Sequence, residues 1–205
     1  MYIILVHGPS GSGKTTISKL IKKSLPEVKT EIISMDQFYK ILDQNDPISN
    51  WDTIDAFDTD HLYSCLVQLR YGKTTEIPIY DYVTCTRLKD KQTINGNLDI
   101  VIVEGIMTLY DERICTLADL KIYIDADPWK TCLRRRFSRD MEDRGRSYIS
   151  VLNQYLDQVL DGYLTFVEPM KKKADLCYVN EGEIPNDETL FIKIVCNYIL
   201  NRIKR

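Results

Sequence analysis

The chain opens on Tyr2-Ile3-Ile4-Leu5-Val6, a run with no polar alternation, which reads as a strand buried on both faces over residues 2–7. A helix is predicted from Lys14 to about Leu25, ended by Pro26. Thr30 to Met35 reads as a short second strand that delivers Asp36 at its carboxyl end. The stretch from Gln44 to Asp60, rich in Asp, Asn and Pro, predicts a loop, with a helix from about Thr59 to Tyr71 behind it. Thr75 to Tyr82 predicts a strand, and Val83 to Gln92 a polar turn or a second arm. Two further apolar strands, Ile100 to Val103 and Leu120 to Ile124, deliver Glu104-Gly105 and Asp125. Asp127-Pro128 then starts a long helical region broken near Arg144-Gly145-Arg146. A second helix is expected from about Tyr148 to Phe166, then a short strand over Ala174 to Val179 and a helix from about Asn186 to Asn201. Short strands alternating with helices predict an α/β fold: a mainly parallel five-stranded sheet covered on both faces in three layers.

The 205 residues suit one domain spanning 1–205, with residues 39–92 as a β-rich insertion and about 134–147 as an arginine-rich lid. Hydrophobic residues at 44% and charged residues at 28% fit an ordinary soluble protein, and a formal net charge of -3 asks for neither nucleic acid nor membrane as a partner. No leader-like segment or membrane-spanning apolar run is visible, so a cytoplasmic location is expected. The six cysteines are scattered and there are only two histidines, which reads as reduced thiols without a zinc cluster.

Chemistry enters at Gly8-Pro9-Ser10-Gly11-Ser12-Gly13-Lys14-Thr15, which fits G-x-x-x-x-G-K-[ST] directly after the first strand. In such a loop Gly8, Ser10, Gly11, Ser12 and Gly13 cradle a polyphosphate, with Thr16 at the helix start beside them. Lys14 reaches the outer phosphates, and the Thr15 hydroxyl joins the shell of Mg²⁺. The expected ligands are therefore ATP and Mg²⁺. Asp36 and Glu104, at the ends of two other strands, are hard oxygen donors for the ion, and Asp36 could instead accept a proton from a hydroxyl substrate. The densest basic stretch holds Arg134, Arg135, Arg136 and Arg139, continued by Arg144 and Arg146. It reads as a lid neutralising phosphate charge or, more blandly, as a solvated helix face paired to Asp140, Glu142 and Asp143. Phe38, Tyr39, Trp51, Tyr80 and Tyr82, interleaved with Asp52, Asp55, Asp58 and Asp81, suit a planar base and sugar hydroxyls, although such aromatics also build cores.

The segments GPSGSGKTT (8–16), DQFY (36–39), WDTIDAFD (51–58), EIPIYDYVTCTR (76–87), VEG (103–105) and RRRFSRDMEDRGR (134–146), followed by Gln154-Tyr155, resemble the uridine kinase (uridine-cytidine kinase) family of P-loop kinases. The resemblance covers about residues 2–180. It implies transfer of the ATP γ-phosphate to the 5′-hydroxyl of a pyrimidine ribonucleoside. Asp36 is then the general base, Thr15 and Glu104 serve Mg²⁺, and Tyr39 and Trp51 lie near the nucleoside. Asp52 and Arg139 hold the ribose, and Tyr80 approaches the base edge. Arg136 and Arg146 face phosphates or substrate, and Gln154 supports the site. Cys85 stands where the family commonly has histidine, which opens the base preference. The resemblance further implies a homo-oligomer, commonly a tetramer. The alternatives are a kinase for nicotinamide riboside or a phosphorylated pentose, or a nucleotide-binding regulator without catalysis.

Overall fold

The computed structural model describes residues 1–41, 50–182, 185–186 and 189–203. Its strands are β1 (Tyr2–His7), β2 (Thr30–Ser34), β3 (Thr75–Asp81), β4 (Thr86–Ile94), β5 (Ile100–Gly105), β6 (Leu120–Asp125) and β7 (Leu176–Val179). Five of them form one sheet in the order β2-β5-β1-β6-β7, all parallel, while β3 and β4 make a separate antiparallel hairpin. Helices are α1 (Lys14–Lys23), α2 (Thr59–Arg70), α3 (Glu112–Leu117), α4 (Leu133–Glu142), α5 (Tyr148–Gln154), α6 (Leu160–Gly162) and α7 (Leu190–Ile203). Wide π-type turns at Tyr155–Val159 and Tyr163–Val167 join α5 and α6 into the long helical rod expected from about Tyr148 to Phe166.

The apolar run in β1 divides by its period of two. Ile3 and Leu5 pack with Val101, Val103 and the α2 residues Leu62, Leu66 and Leu69 on one face. Ile4 and Val6 pack with Ile17 and Ile21 of α1 and with Val195 and Ile199 of α7 on the other. Burial of both faces is why the strand carries no polar alternation. Differences from the sequence expectation are local. α1 stops at Lys23 and α7 begins at Leu190; of the two readings for the polar segment after Tyr82, the second arm is the one that forms, paired with β3. The expected loop over 44–60 lies partly outside the described residues, and its far side begins at Asn50. No helix among the described residues is long and apolar enough to cross a membrane.

At the end of β1 stands His7, fully buried. Its Nε2–H donates to the Val167 carbonyl at 3.2 Å, and its Nδ1 accepts from the Leu109 amide at 3.4 Å, which fixes a neutral tautomer. Burial lowers its pKa from 6.5 to about 3. The unfolded chain therefore takes up this proton first. The stability the neutral ring contributes is complete above pH 6.5 and is lost as pH falls toward 3, by at most about 1.4 kcal/mol per pH unit. Urea titrations at pH 5 and pH 7 should show that loss in the wild type and a smaller one in His7→Gln. Equal pH slopes would contradict it.

Candidate active site

Three neighbouring parallel strands end on one side of the sheet, and each delivers a polar group there. β1 leads into the glycine loop, β2 into Asp36 and β5 into Glu104, with Glu104 in register with Val6 on one side and Ser34 on the other. This is the carboxyl edge, where open α/β sheets place ligands. Gly13 caps α1 at φ +96, and a β-carbon there would stand 2.4 Å from the Asn180 amide nitrogen, so only glycine fits. That amide donates to the Ser12 carbonyl at 2.6 Å and clamps the loop from β7. Asn180, 2% exposed, had no sequence signal, because its role exists only through contact with a segment 168 residues away.

Lys14 is buried, and its ammonium donates to the Pro9 carbonyl at 2.8 Å. Burial pulls its pKa down while Glu104 and Asp36 pull it up, so both carboxylates act on its charge. Glu104 shifts up, chiefly from burial, with Lys14 and hydrogen bonding from Ser34 and Thr15 opposing. Thr15 and Thr16 are exposed on the first turn of α1. They line a cavity of about 900 Å³ together with Gly11, Gly13, Lys14, Glu104 and the lid residues Arg134, Arg135 and Arg139. Gly8 and Ser12 are loop residues that do not line it: Gly8 packs on the Ile124 carbonyl, and Ser12 is buried.

A second cavity of about 270 Å³ adjoins the first, and Ser10, Asp36, Tyr82, Ile106, Arg139 and Arg144 line both. Its further lining includes Tyr39, Trp51, Asp52, Tyr80, Cys85, Arg136, Arg146 and Gln154. The sequence-selected residues thus meet in one place, although only tertiary structure joins them. Asp36 sits in a short 3₁₀ turn between buried Met35 and Phe38, which anchor it from below. Gln37 bridges that turn to the hairpin, accepting from the Ser34 amide at 3.2 Å and donating to the Pro78 carbonyl at 3.0 Å.

The rings form a continuous wall. Tyr39 stacks on Phe57 at 4.3 Å, meets Trp51 edge-on at 5.4 Å and leans on Tyr80 at 5.4 Å, and Tyr80 meets Tyr82 edge-on at 5.3 Å. Phe38 is not part of it; it lies in the core with its ring against His61. Several acidic residues of the same stretch also serve structure. Asp58 caps α2 and pairs with Arg87, and Asp81 accepts from the Val83 amide and the Thr84 hydroxyl in the hairpin turn. Asp52 is different: it is buried, its pKa is raised by burial, and the Arg136 charge opposes that rise. A β-carbon at Gly162 would stand 2.7 Å from Asp52, so the helical rod needs glycine there. Cys85 holds φ +54 at the hairpin tip with an exposed thiol.

Four of the arginines converge on one carboxylate rather than forming a solvated face, whereas Arg134 is exposed. Asp140 of α4 is 0% exposed and is reached by Arg139 at 2.8 Å, Arg144 at 3.3 Å, Arg136 at 3.4 Å and Arg146 at 3.6 Å. Arg136 also donates to the Ser10 hydroxyl at 2.9 Å and to Gln154 Oε1 at 2.8 Å, and Arg146 donates to the same oxygen. One buried carboxylate therefore gathers four guanidinium groups, of which Arg139 and Arg144 line both cavities and Arg136 and Arg146 the smaller one. Asp140 itself was legible only as a bland helix-face partner.

A glycine loop with its lysine, strand-end carboxylates and an arginine lid facing a second small cavity define a P-loop phosphotransferase architecture. Residues 3–183 match the model of the phosphoribulokinase / uridine kinase family, and the chain belongs to that family. Its relatives include the uridine kinase of Limosilactobacillus reuteri (strain DSM 20016), 43% identical over 187 residues, or 88% of this chain and 84% of that protein. The uridine kinase of Saccharomyces cerevisiae is 36% identical over 99% of this chain, which spans 41% of the yeast protein. Among solved structures, phosphoribulokinase from Rhodobacter spheroides superposes with a TM-score of 0.62 at 19% identity, covering 87% of this chain and 69% of that one, a likeness of fold.

Proposed function

We propose that the chain transfers the γ-phosphoryl group of ATP to the 5′-hydroxyl of a pyrimidine ribonucleoside, uridine or cytidine. The observation that carries this is Asp36, the carboxylate common to the phosphate-side cavity and the aromatic cavity. The nucleoside lies among Tyr39, Trp51 and Tyr80, with Asp52 and Arg139 on its sugar and Cys85 at its base edge. The 5′-oxygen forms its bond to the γ-phosphorus as the bond to the β-phosphate bridging oxygen breaks, and its proton passes to the Asp36 carboxylate. Lys14 and the lid arginines Arg136 and Arg139 balance the charge spreading over the moving group. The names of the relatives and the matched family support this reading.

The donor set fits Mg²⁺. Thr15, Glu104 and Asp36 offer hard oxygens, and Glu104 is a buried carboxylate whose pKa is raised by burial, with the Asp36 charge adding to the rise and Lys14 opposing it. When bound, Mg²⁺ neutralises charge on the β- and γ-phosphates.

The test is an ADP-release screen with uridine, cytidine, their 2′-deoxy forms, nicotinamide riboside and ribulose 5-phosphate. Uridine and cytidine should turn over, and the deoxy forms should fall behind, because Asp52 is buried and would lose a hydroxyl partner. Turnover of only a non-pyrimidine acceptor would overturn the reading.

A further inference from the structure

The hairpin of β3 and β4 is not one continuous ladder. Its inner part runs from the pair Thr75–Ile94 to the pair Pro78–Lys91; the register then shifts, and the outer part pairs Tyr80 with Arg87 and Asp81 with Thr86. Ile77 and Ile94 fix the inner part to the core, in the same cluster as Phe38. The outer part carries Tyr80 and Cys85 of the smaller cavity. A register shift interrupts the ladder and bends the strand locally, so the core anchors of the inner part do not by themselves fix the outer one.

Arg87 spans that gap. Along β4 every residue is exposed except Arg87 and, at the inner end, Ile94. A cation is seldom drawn in this way unless it has partners, and Arg87, its side chain 12% exposed, has two. Its Nη2 donates to the Phe38 carbonyl at 2.9 Å, and its Nη1 pairs with the Asp58 carboxylate at 3.4 Å. The Phe38 carbonyl ends the turn Met35–Phe38 that carries Asp36, and it also accepts from the Asp58 amide at 2.8 Å. From the same turn, Gln37 reaches the opposite way, to the Pro78 carbonyl at 3.0 Å. The Asp36 turn is thus tied to the hairpin on both sides of the register shift, by Gln37 to the inner part and by Arg87 to the outer. Packing of Met35 and Phe38 sets how deep the turn sits, whereas hydrogen bonds are directional and set how it faces.

We propose that Arg87 is a positioning residue: its guanidinium locks the outer hairpin, with Tyr80 and Cys85, to the turn that carries Asp36, so that the base end and the 5′-hydroxyl end of the acceptor are held in one frame. The consequence for the reaction rests on the nucleoside kinase reading; the lock itself does not.

Hydrogen exchange without ligands tests the lock. In Arg87→Met, which keeps the length of the side chain and removes its donors, the amides of residues 35–39 and of residues 80–87 should both exchange about tenfold faster than in the wild type, while β5 keeps its rate. Steady-state kinetics test the consequence. At saturating uridine, Arg87→Met should lower kcat about tenfold, since a small misplacement of a reacting group is costly. In an Asp36→Asn background the same substitution should lower kcat less than about twofold, because no carboxylate is left to misplace. Arg87→Lys keeps a cation beside Asp58 without the planar fork, so it should fall between the wild type and Arg87→Met in both measurements, and it carries the test if Arg87→Met does not fold. Faster exchange in the outer hairpin alone, or an equal kcat loss in the two backgrounds, would overturn the proposal by making Arg87 a brace of the hairpin only. Wild-type protein inert toward uridine and cytidine would instead sink the acceptor reading, and the exchange measurement would still decide the lock.

Discussion

Asp36→Asn is expected to lower uridine-dependent ADP release by about 10²–10⁴-fold, the range that a positioned proton acceptor contributes. The substitution keeps the size of the side chain and its seat between the buried anchors Met35 and Phe38, so the turn should survive. What disappears is the only carboxylate that lines both cavities among the described residues. ATP binding should persist, since the glycine loop, Lys14 and Thr15 are untouched. Metal-free ATP should even bind slightly more tightly, because a negative charge acting on Lys14 and Glu104 is gone. Parallel measurement of turnover and of ATP affinity separates these effects. Near-normal turnover in the mutant would remove Asp36 from the chemistry.

Asp140→Asn should have the largest structural effect. Four guanidinium groups lie within 3.6 Å of this fully buried carboxylate. A neutral amide leaves their mutual repulsion uncompensated around a fully buried side chain. Removing one partner of a buried ion pair typically costs about 3–5 kcal/mol. For a domain of this size, about 3 kcal/mol corresponds to a drop of roughly 6–12 °C in Tm. Activity should fall as well, because Arg136, Arg139 and Arg146 take their directions from Asp140. Arg146→Lys, by contrast, keeps a cation near Asp140 and should cost little Tm while weakening the hold on Gln154. Scanning calorimetry on both variants gives the comparison. Equal melting temperatures for Asp140→Asn and wild type would show that the arginines are arranged independently of it.

The sheet was readable because burial of both faces leaves a run of apolar residues that needs no partner to be recognised, as in Ile3 to Val6 and Ile100 to Val103. The phosphate loop was readable because its chemistry is contiguous: glycines, lysine and threonine act within eight residues. Asp36 and Glu104 followed from the same logic, each being the first acidic group after a strand. Element ends were less legible. The polar arm Thr86–Ile94 carries little hydrophobic pattern, since most of it faces water and its pairing is supplied by β3.

The sequence by itself thus determined the sheet, the loop, the strand-end carboxylates and a plausible inventory of aromatic and basic side chains. It did not determine which of them share a cavity. Phe38 and Tyr39 are adjacent in sequence, yet one goes to the core and the other to the wall, because a 3₁₀ turn points consecutive side chains in different directions. Asn180 and Gly162 acquire their meaning from partners far along the chain, the Ser12 carbonyl and Asp52. Each such contact costs nothing to a sequence pattern when it is absent, since no local periodicity encodes it. Only packing of the hairpin, the lid and the long helical rod against the carboxyl edge of the sheet brings these groups within hydrogen-bonding distance.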